Sequence, residues 1–255
     1  MSVPRPLSYE PFVGLAVADS DVVGLVLKGS QAHDGMATRH SDHDLYVILA
    51  DDAKTDLARL DGHRTPELDL VIISVAEFRA PPASFERYAL ARATVVLDRL
   101  DGDIARILAG LARLEPDEAL QASRHWLDAY ANSLYRSVKN DRDGQPLAAR
   151  LDAADSIGHL LELLFALDRR PRPFNKYLSW ELARYPLPGW DTGDLLDSID
   201  RITRTDDANL QRHLFAQVEA AARRTGLSEV LDAWGKDLEL MRPQMSGPPM
   251  RSPRT

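Results

Sequence analysis

The sequence contains no cysteine. Disulfides, thiolate zinc sites, iron–sulfur clusters and a cysteine nucleophile are therefore excluded. The absence fits a reducing compartment, and we expect a cytoplasmic protein. No apolar run approaches the ~18 residues that a membrane-spanning helix needs. The segment Met1–Pro11 contains three prolines and no apolar core, so it does not resemble a secretory signal, and we expect no membrane partner.

Basic residues are also fewer than acidic ones. The chain has 31 Lys and Arg against 39 Asp and Glu, a formal net charge of -8. Broad, sequence-independent binding to a duplex needs a net basic surface, so we predict no bulk nucleic-acid partner. A local basic pocket for one nucleotide is compatible with this balance. The 255 residues, 44% of them hydrophobic, suffice for two folded domains.

The hydrophobic pattern changes near residue 114. Before it, short apolar runs bounded by turn formers predict strands at residues 22–27, 44–49, 68–73 and 94–97. Helices are predicted between them at residues 9–18, 51–60, 83–91 and 103–114, the last capped by Asp103. After it, only helical signals occur, at residues 115–139, 147–167, 194–203, 207–225 and 228–241. We predict an α+β protein with a small mixed sheet in a domain over 1–114, an α-helical bundle over 115–242 and a disordered tail over 243–255.

Two acidic residues enter the second predicted strand with a spacing that favours metal binding. Asp42 and Asp44 are two residues apart, so in an extended chain they point to the same face. Such carboxylates repel each other, and a bound cation relieves the repulsion. Asp69, in the next predicted strand, joins them if the two strands pair, and Glu67 on the same strand face is the alternative third ligand. Three carboxylates at one sheet end can hold two Mg²⁺ ions suited to displacement at phosphorus.

The first predicted strand ends in Gly29-Ser30. Glycine permits close backbone approach and the serine hydroxyl adds a donor, so this turn can hold the outer phosphates of a nucleoside triphosphate. Arg39 and Ser41, together with Lys28, are candidates for additional phosphate contacts.

The loop between the two strands contains three histidines, His33, His40 and His43. Their spacing fits no standard zinc site, and the nearby carboxylates favour a harder ion, so we do not predict zinc.

These segments resemble the signature of the nucleotidyltransferase superfamily, which includes the polymerase β-like enzymes. That signature is an apolar strand, Gly-Gly or Gly-Ser, a loop, Asp-x-Asp, and a later acid between apolar residues. Here it reads Leu25-Val26-Leu27-Lys28-Gly29-Ser30, then Ser41-Asp42-His43-Asp44-Leu45, then Leu68-Asp69-Leu70. His43 stands where the family usually has an apolar residue. The resemblance covers roughly the first 100 residues and implies Mg²⁺-dependent transfer of AMP from ATP to a hydroxyl, with release of pyrophosphate.

The helical half resembles, in architecture, the bundle appended to aminoglycoside nucleotidyltransferases such as the kanamycin enzyme. This resemblance implies a bundle that binds a small hydroxylated acceptor, aminoglycoside-like, and a role in antibiotic resistance. The catalytic base of the kanamycin enzyme comes from its helical domain, so Asp155 and Glu162 are candidate bases, with Asp69 as the alternative. Both acids lie, with Asp152 and His159, on one narrow face of the second long helix. This face is either an ordinary solvated stripe or an acidic wall that attracts a cationic acceptor. Lys176 in the bundle is a further candidate contact for the triphosphate.

Two other functions stay open. Some small superfamily members modify a protein, including antitoxins that nucleotidylate a toxin. A nucleotide-binding module without catalysis on the same scaffold is the other. The sequence also leaves open the preferred nucleotide, the acceptor and a homodimeric state.

Overall fold

A computed structural model describes residues 7–244 of the chain. The chain divides into two compact units between Arg113 and Leu114. The first unit contains a sheet, whereas the described part of the second contains helices and no strand. From residue 245 onward, the tail predicted to be disordered lies outside the described residues.

The first unit, which we call the sheet unit, is organised around four strands. They are β1 (Val22–Lys28), β2 (His43–Leu49), β3 (Leu68–Ser74) and β4 (Thr94–Asp98). Its helices are α1 (Tyr9–Ala18), α2 (Val75–Arg79), α3 (Ser84–Ala91) and α4 (Asp103–Leu111). The sheet order is β3-β2-β1-β4, with β1 antiparallel to both neighbours and β2 parallel to β3. The predicted α+β class with a small mixed sheet is confirmed.

Alternating side chains give the sheet two apolar faces. Leu25, Leu45 and Leu70 pack in one cluster with Phe12 of α1. Val26 and Ile48 pack in another, which includes residues of α2, α3 and α4. Each large apolar side chain that is fully buried contributes about 1.5–3 kcal/mol, so both layers hold the sheet. Their packing fixes the sheet end at which β1 finishes and β2 and β3 begin.

The helix predicted over residues 51–60 is wrong in extent. Only Asp56–Leu60 is helical, as a 3-10 turn, and the Thr55 side chain accepts a hydrogen bond from the Leu57 amide at its start. The preceding residues are held differently, since the Lys54 amide donates to the Asp21 carboxylate at 2.8 Å. A side chain from before β1 therefore competes with the first helical turn.

The helical pattern missed α2 and assigned the wrong capping residue to α4. Helix α2 has five residues and depends on a capping box between Ser74 and Glu77, too short a segment to show periodicity. Gly102, in the left-handed conformation at φ 82°, is the N-cap of α4, so the predicted cap Asp103 is instead its first helical residue.

The second unit, which we call the helical unit, begins with two long helices. Its helices are α5 (Pro116–Arg142), α6 (Pro146–Leu167), α7 (Leu178–Arg184), α8 (Thr192–Thr205), α9 (Ala208–Arg224), α10 (Ser228–Asp232) and α11 (Leu238–Met241). Pro116 and a capping box between Glu115 and Glu118 start α5, which packs against α6. Leu127, Leu160 and Phe215 belong to one core shared by these helices.

A single helix predicted over residues 228–241 is also wrong. Gly235 has a positive φ of 54°, which a right-handed helix does not accept, and the chain is divided there into α10 and α11. Helix α7 was not indicated by the pattern either. No helix within residues 7–244 combines the length and apolarity that crossing a membrane requires.

Candidate functional site

The Gly29-Ser30 turn lies directly against the Asp44 carboxylate. Strands β1 and β2 pair so that Lys28 stands opposite Asp44, and the chain then turns through a 3-10 segment, Gly29–Ala32. Gly29 has a φ of +72°, and a Cβ placed on it would lie 2.2 Å from Asp44 Oδ2. Glycine is thus required both by the backbone conformation and by the close approach of the carboxylate.

The three acids predicted to act together are neighbours. Asp44 and Asp69 are register partners in the parallel pair β2–β3, so their side chains share one face of the sheet. Asp42 precedes Asp44 by two residues. Burial raises the pKa of Asp44, the charge of Asp42 raises it further, Lys28 partly offsets the rise, and Asp69 adds to it. The Asp44 carboxylate therefore carries negative charge that its surroundings leave incompletely balanced.

A fourth carboxylate, Glu86 of α3, reaches the same cluster. Its Oε2 lies 2.9 Å from Lys28 Nζ, and it accepts a hydrogen bond from the Tyr46 hydroxyl at 3.5 Å. Burial and Glu86 together raise the pKa of Tyr46 to about 12. Sequence reasoning missed Glu86 because α3 carries no motif and comes to this sheet end only through packing. The apolar spacing of α3 held no signal for it.

The donor chemistry of the acids fits a divalent cation, because a cation would balance the charge around Asp44. Within residues 7–244, however, no group of three or more His, Asp and Glu side chains is arranged to ligate one ion together. Asp69 is engaged elsewhere: its Oδ2 lies 3.4 Å from Nε of Arg64, whose side chain is 80% exposed. Such exposed pairs contribute about 1 kcal/mol or less, so a cation can compete for Asp69.

Arg39 and Ser41, the predicted phosphate contacts, line a pocket of about 370 Å³. Tyr9, His43 and Glu67 line it too, which places the alternative third ligand there. The rings of Tyr9 and His43 stack with centroids 4.1 Å apart. Burial is the main cause of the raised pKa of Tyr9. The pocket offers an aromatic wall with charged groups at its edge.

The three loop histidines contact different partners. His33 is buried, and its Nδ1 lies 2.7 Å from the Gly29 carbonyl oxygen. His40 Nε2 accepts a hydrogen bond from Arg39 Nε at 3.0 Å. His43 Nδ1 lies 3.3 Å from the Glu67 carbonyl oxygen.

The remaining predicted site residues belong to the helical unit and have different environments. Asp155 on α6 is exposed. Glu162, also on α6, is half-buried and pairs with Arg172 at 3.2 Å. Lys176 is exposed, with its Nζ 5.5 Å from the centre of the Tyr177 ring.

The face of α6 that carries Asp155 and Glu162 is only partly solvated. Asp152, one turn before Asp155, is buried, accepts a hydrogen bond from Asn140 Nδ2 at 2.8 Å, and pairs with Arg136 at 3.0 Å. His159 Nδ1 lies 3.2 Å from Ser133 Oγ. The partners are on α5, and the periodicity of α6 alone carries no information about them.

Comparison with solved structures shows a likeness in fold. A nucleotidyltransferase-like protein from Exiguobacterium sibiricum is similar to this chain, at 14% identity and a TM-score of 0.42, over 89% of this chain and 75% of that chain. No protein-family model and no curated protein matches the sequence. Assignment of a function therefore depends on the chemistry of the site.

Proposed function

We propose that the protein is a Mg²⁺-dependent nucleotidyltransferase that transfers a nucleoside monophosphate, AMP from ATP, to a hydroxyl of a small molecule. The observation that carries the proposal is the apposition of the Gly29 backbone and the Asp44 carboxylate. Asp42 and Asp69 are near enough to raise the pKa of that carboxylate. A turn able to receive phosphate and a set of acids with excess negative charge thus meet at one sheet end, as phosphoryl chemistry requires.

Asp42 and Asp44 would hold the divalent cation, and Asp69 would complete the set by leaving Arg64. When bound, Mg²⁺ supplies positive charge that offsets the triphosphate and favours ionisation of the acceptor hydroxyl. The oxygens of three carboxylates, with water and phosphate, suffice for two ions. Backbone N–H groups of the Gly29-Ser30 turn would receive the outer phosphates. Arg39, Ser41 and Lys176 are further proposed phosphate contacts.

In the proposed reaction, the acceptor oxygen forms a bond to the α-phosphorus. The bond from that phosphorus to the oxygen bridging to the β-phosphate breaks, and its electron pair leaves with pyrophosphate. The proton of the acceptor hydroxyl passes to a carboxylate. Asp69 is the proposed base within the sheet unit, and Asp155 or Glu162 within the helical unit. Glu162 is paired with Arg172, whereas Asp155 is exposed.

The acceptor we propose is a hydroxylated, amine-bearing molecule of aminoglycoside type. The formal net charge of -8 favours association with a cationic small molecule over an anionic one. The test is a screen for pyrophosphate release with ATP and Mg²⁺ against aminoglycosides, lincosamides and other hydroxylated metabolites. We expect release with a subset of them and a product heavier by one adenylyl group, that is, by AMP less one water. Release only with a protein acceptor would instead indicate an antitoxin-like transferase.

A second candidate is a nucleotide-binding module without catalysis. It is favoured by the lack, within the described residues, of three acids already arranged around one metal position. Mg²⁺-dependent ATP binding with no pyrophosphate release across the whole panel would support this candidate and reject transfer.

A further inference from the structure

A buried histidine adjoins the proposed phosphate turn and has no part in the reaction described above. His33 follows the 3-10 segment Gly29–Ala32 and is 1% exposed. Its Nδ1 lies 2.7 Å from the Gly29 carbonyl oxygen, and its Nε2 lies 3.3 Å from the hydroxyl of Tyr88, a buried residue of α3. The imidazole therefore links the turn to a helix that packs on the sheet.

The chemistry of these partners fixes which nitrogen carries hydrogen. A carbonyl oxygen can only accept, so Nδ1 of His33 must donate to Gly29. In the neutral ring Nε2 then has no hydrogen, and it accepts from the Tyr88 hydroxyl. In the neutral ring, both bonds need this one tautomer and one ring orientation.

Helix α3 also holds the end of β1 at a second point, one residue before the turn. Glu86 pairs with Lys28, and the two side chains are only 19% and 14% exposed. Lys28 and Gly29 are thus each connected to α3, the second through His33. Since Gly29 lies against Asp44, a shift of the turn would change the position of its N–H groups relative to that carboxylate.

We infer that His33 is a positioning residue that holds the Gly29-Ser30 turn in the conformation that receives the phosphates of a nucleoside triphosphate. The inference rests on the proposed function. His33 acts through the Gly29 carbonyl and does not contact the nucleotide.

Three substitutions of His33 distinguish the loss of the Nδ1 hydrogen bond from the loss of side-chain packing. The side-chain nitrogen of asparagine comes near the position of Nδ1, whereas that of glutamine extends toward Nε2. His33→Ala and His33→Gln each lose one buried hydrogen bond, so we expect them to weaken Mg²⁺-ATP binding about tenfold. The affinity of His33→Asn should stay within about twofold of wild type. In turnover we expect KM for ATP to rise more than kcat falls. Assays run well below the unfolding temperature of each variant.

An independent measurement uses the wild-type protein without nucleotide. Nitrogen-15 NMR of the His33 ring should show hydrogen on Nδ1 and none on Nε2 in the neutral form. The opposite tautomer, or His33→Gln binding Mg²⁺-ATP as tightly as wild type, would overturn the inference. Failure of the wild-type protein itself to bind ATP would reject the proposed function and this inference together, whereas the other two outcomes reject the inference alone.

Discussion

The acids around Asp44 in the sheet unit have different surroundings from the paired acids of the helical unit. In the helical unit, several acids are matched by guanidinium groups: Asp152 by Arg136, Glu162 by Arg172, and Glu219 by Arg223 and Arg242. In the sheet unit, Asp44 stands among Asp42, Asp69 and Glu86, and the ammonium of Lys28 is held by Glu86. A hydrogen bond from Arg242 is the main reason that the pKa of Glu219 is lowered, whereas burial is the main reason that the pKa of Asp44 is raised.

This contrast distinguishes acids whose ion pairs stabilise the fold from acids, such as Asp44, whose pKa is raised by burial and by neighbouring acids. A carboxylate with a lowered pKa contributes to folding at neutral pH, and one with a raised pKa opposes it. Acids with raised pKa values therefore cluster at ligand-binding and catalytic sites, where a bound ligand can balance their charge or the reaction uses it. Substitutions at Gly29 and at acids of both kinds test whether the contrast holds.

Gly29→Ala should have the largest effect on transfer. The new Cβ would lie 2.2 Å from Asp44 Oδ2, so the turn and the carboxylate must separate. We expect activity to fall by about 10²-fold or more, the scale of losing a well-placed catalytic interaction. Gly35→Ala is the matched control, because Gly35 has a similar φ of +77° but nothing within 4 Å of its Cβ position. Equal losses for both variants would contradict the role of the Asp44 contact.

Asp44→Asn should lower transfer by about 10²-fold, because the amide does not replace a carboxylate beside a cation or a triphosphate. Asp52→Asn, at an exposed turn residue of the same unit, is the control and should leave activity unchanged. Pyrophosphate release under saturating ATP measures both. Near-normal activity of Asp44→Asn would remove it from the site.

Asp152→Ala should lower the unfolding temperature through the helical unit. The substitution leaves Asn140 and Arg136 without their buried acceptor, and losing such bonds costs about 1–3 kcal/mol. For a chain of this size each kcal/mol lowers Tm by about 2–4 °C. Asp155→Ala, at the exposed position one turn away, should leave Tm unchanged. A calorimetric Tm is the measurement, and equal values for the two variants would contradict the matched-charge account.

The smallest expected effect is on the pH dependence of stability, where Asp44 and Glu219 should behave in opposite ways. Asp44→Asn should raise Tm at neutral pH, by about 1–3 °C, because it removes an ionised group that burial disfavours. This gain should shrink as pH falls through the raised pKa of Asp44 toward the ordinary value of 3.8. Glu219→Gln should do the reverse: it lowers Tm above pH 4.5, and the loss disappears as pH falls through the lowered pKa of Glu219. A change of Tm in the same direction at neutral pH in both variants would contradict the difference between the two groups of acids.

The strands and the first members of the site were predictable because their signals are local. The apolar runs of β1, β2 and β3 are short and bounded by turn formers, and each is found where the pattern placed it. Asp42, Asp44 and Asp69 follow from strand alternation, and their proximity depends only on β2 pairing with β3.

What the sequence did not predict depends on contacts between distant segments. Glu86 joins the cluster through the packing of α3, and Asp152 is buried by partners on α5. The last predicted helix is divided at Gly235 because this residue has a positive φ. Glycine allows that conformation, but a glycine in the sequence does not by itself predict it. His33 looked like an ordinary loop residue, and only its bond to Gly29 distinguishes it.

The most direct test of the central claim is a calorimetric titration of ATP into the protein with and without Mg²⁺, for wild type and for Asp42→Asn. If the acids beside Gly29 bind a cation and a triphosphate together, wild type binds ATP much more tightly with Mg²⁺. Asp42→Asn then loses that enhancement while keeping its unfolding temperature. ATP binding that is indifferent to Mg²⁺, or an equal enhancement in the two proteins, would contradict the account.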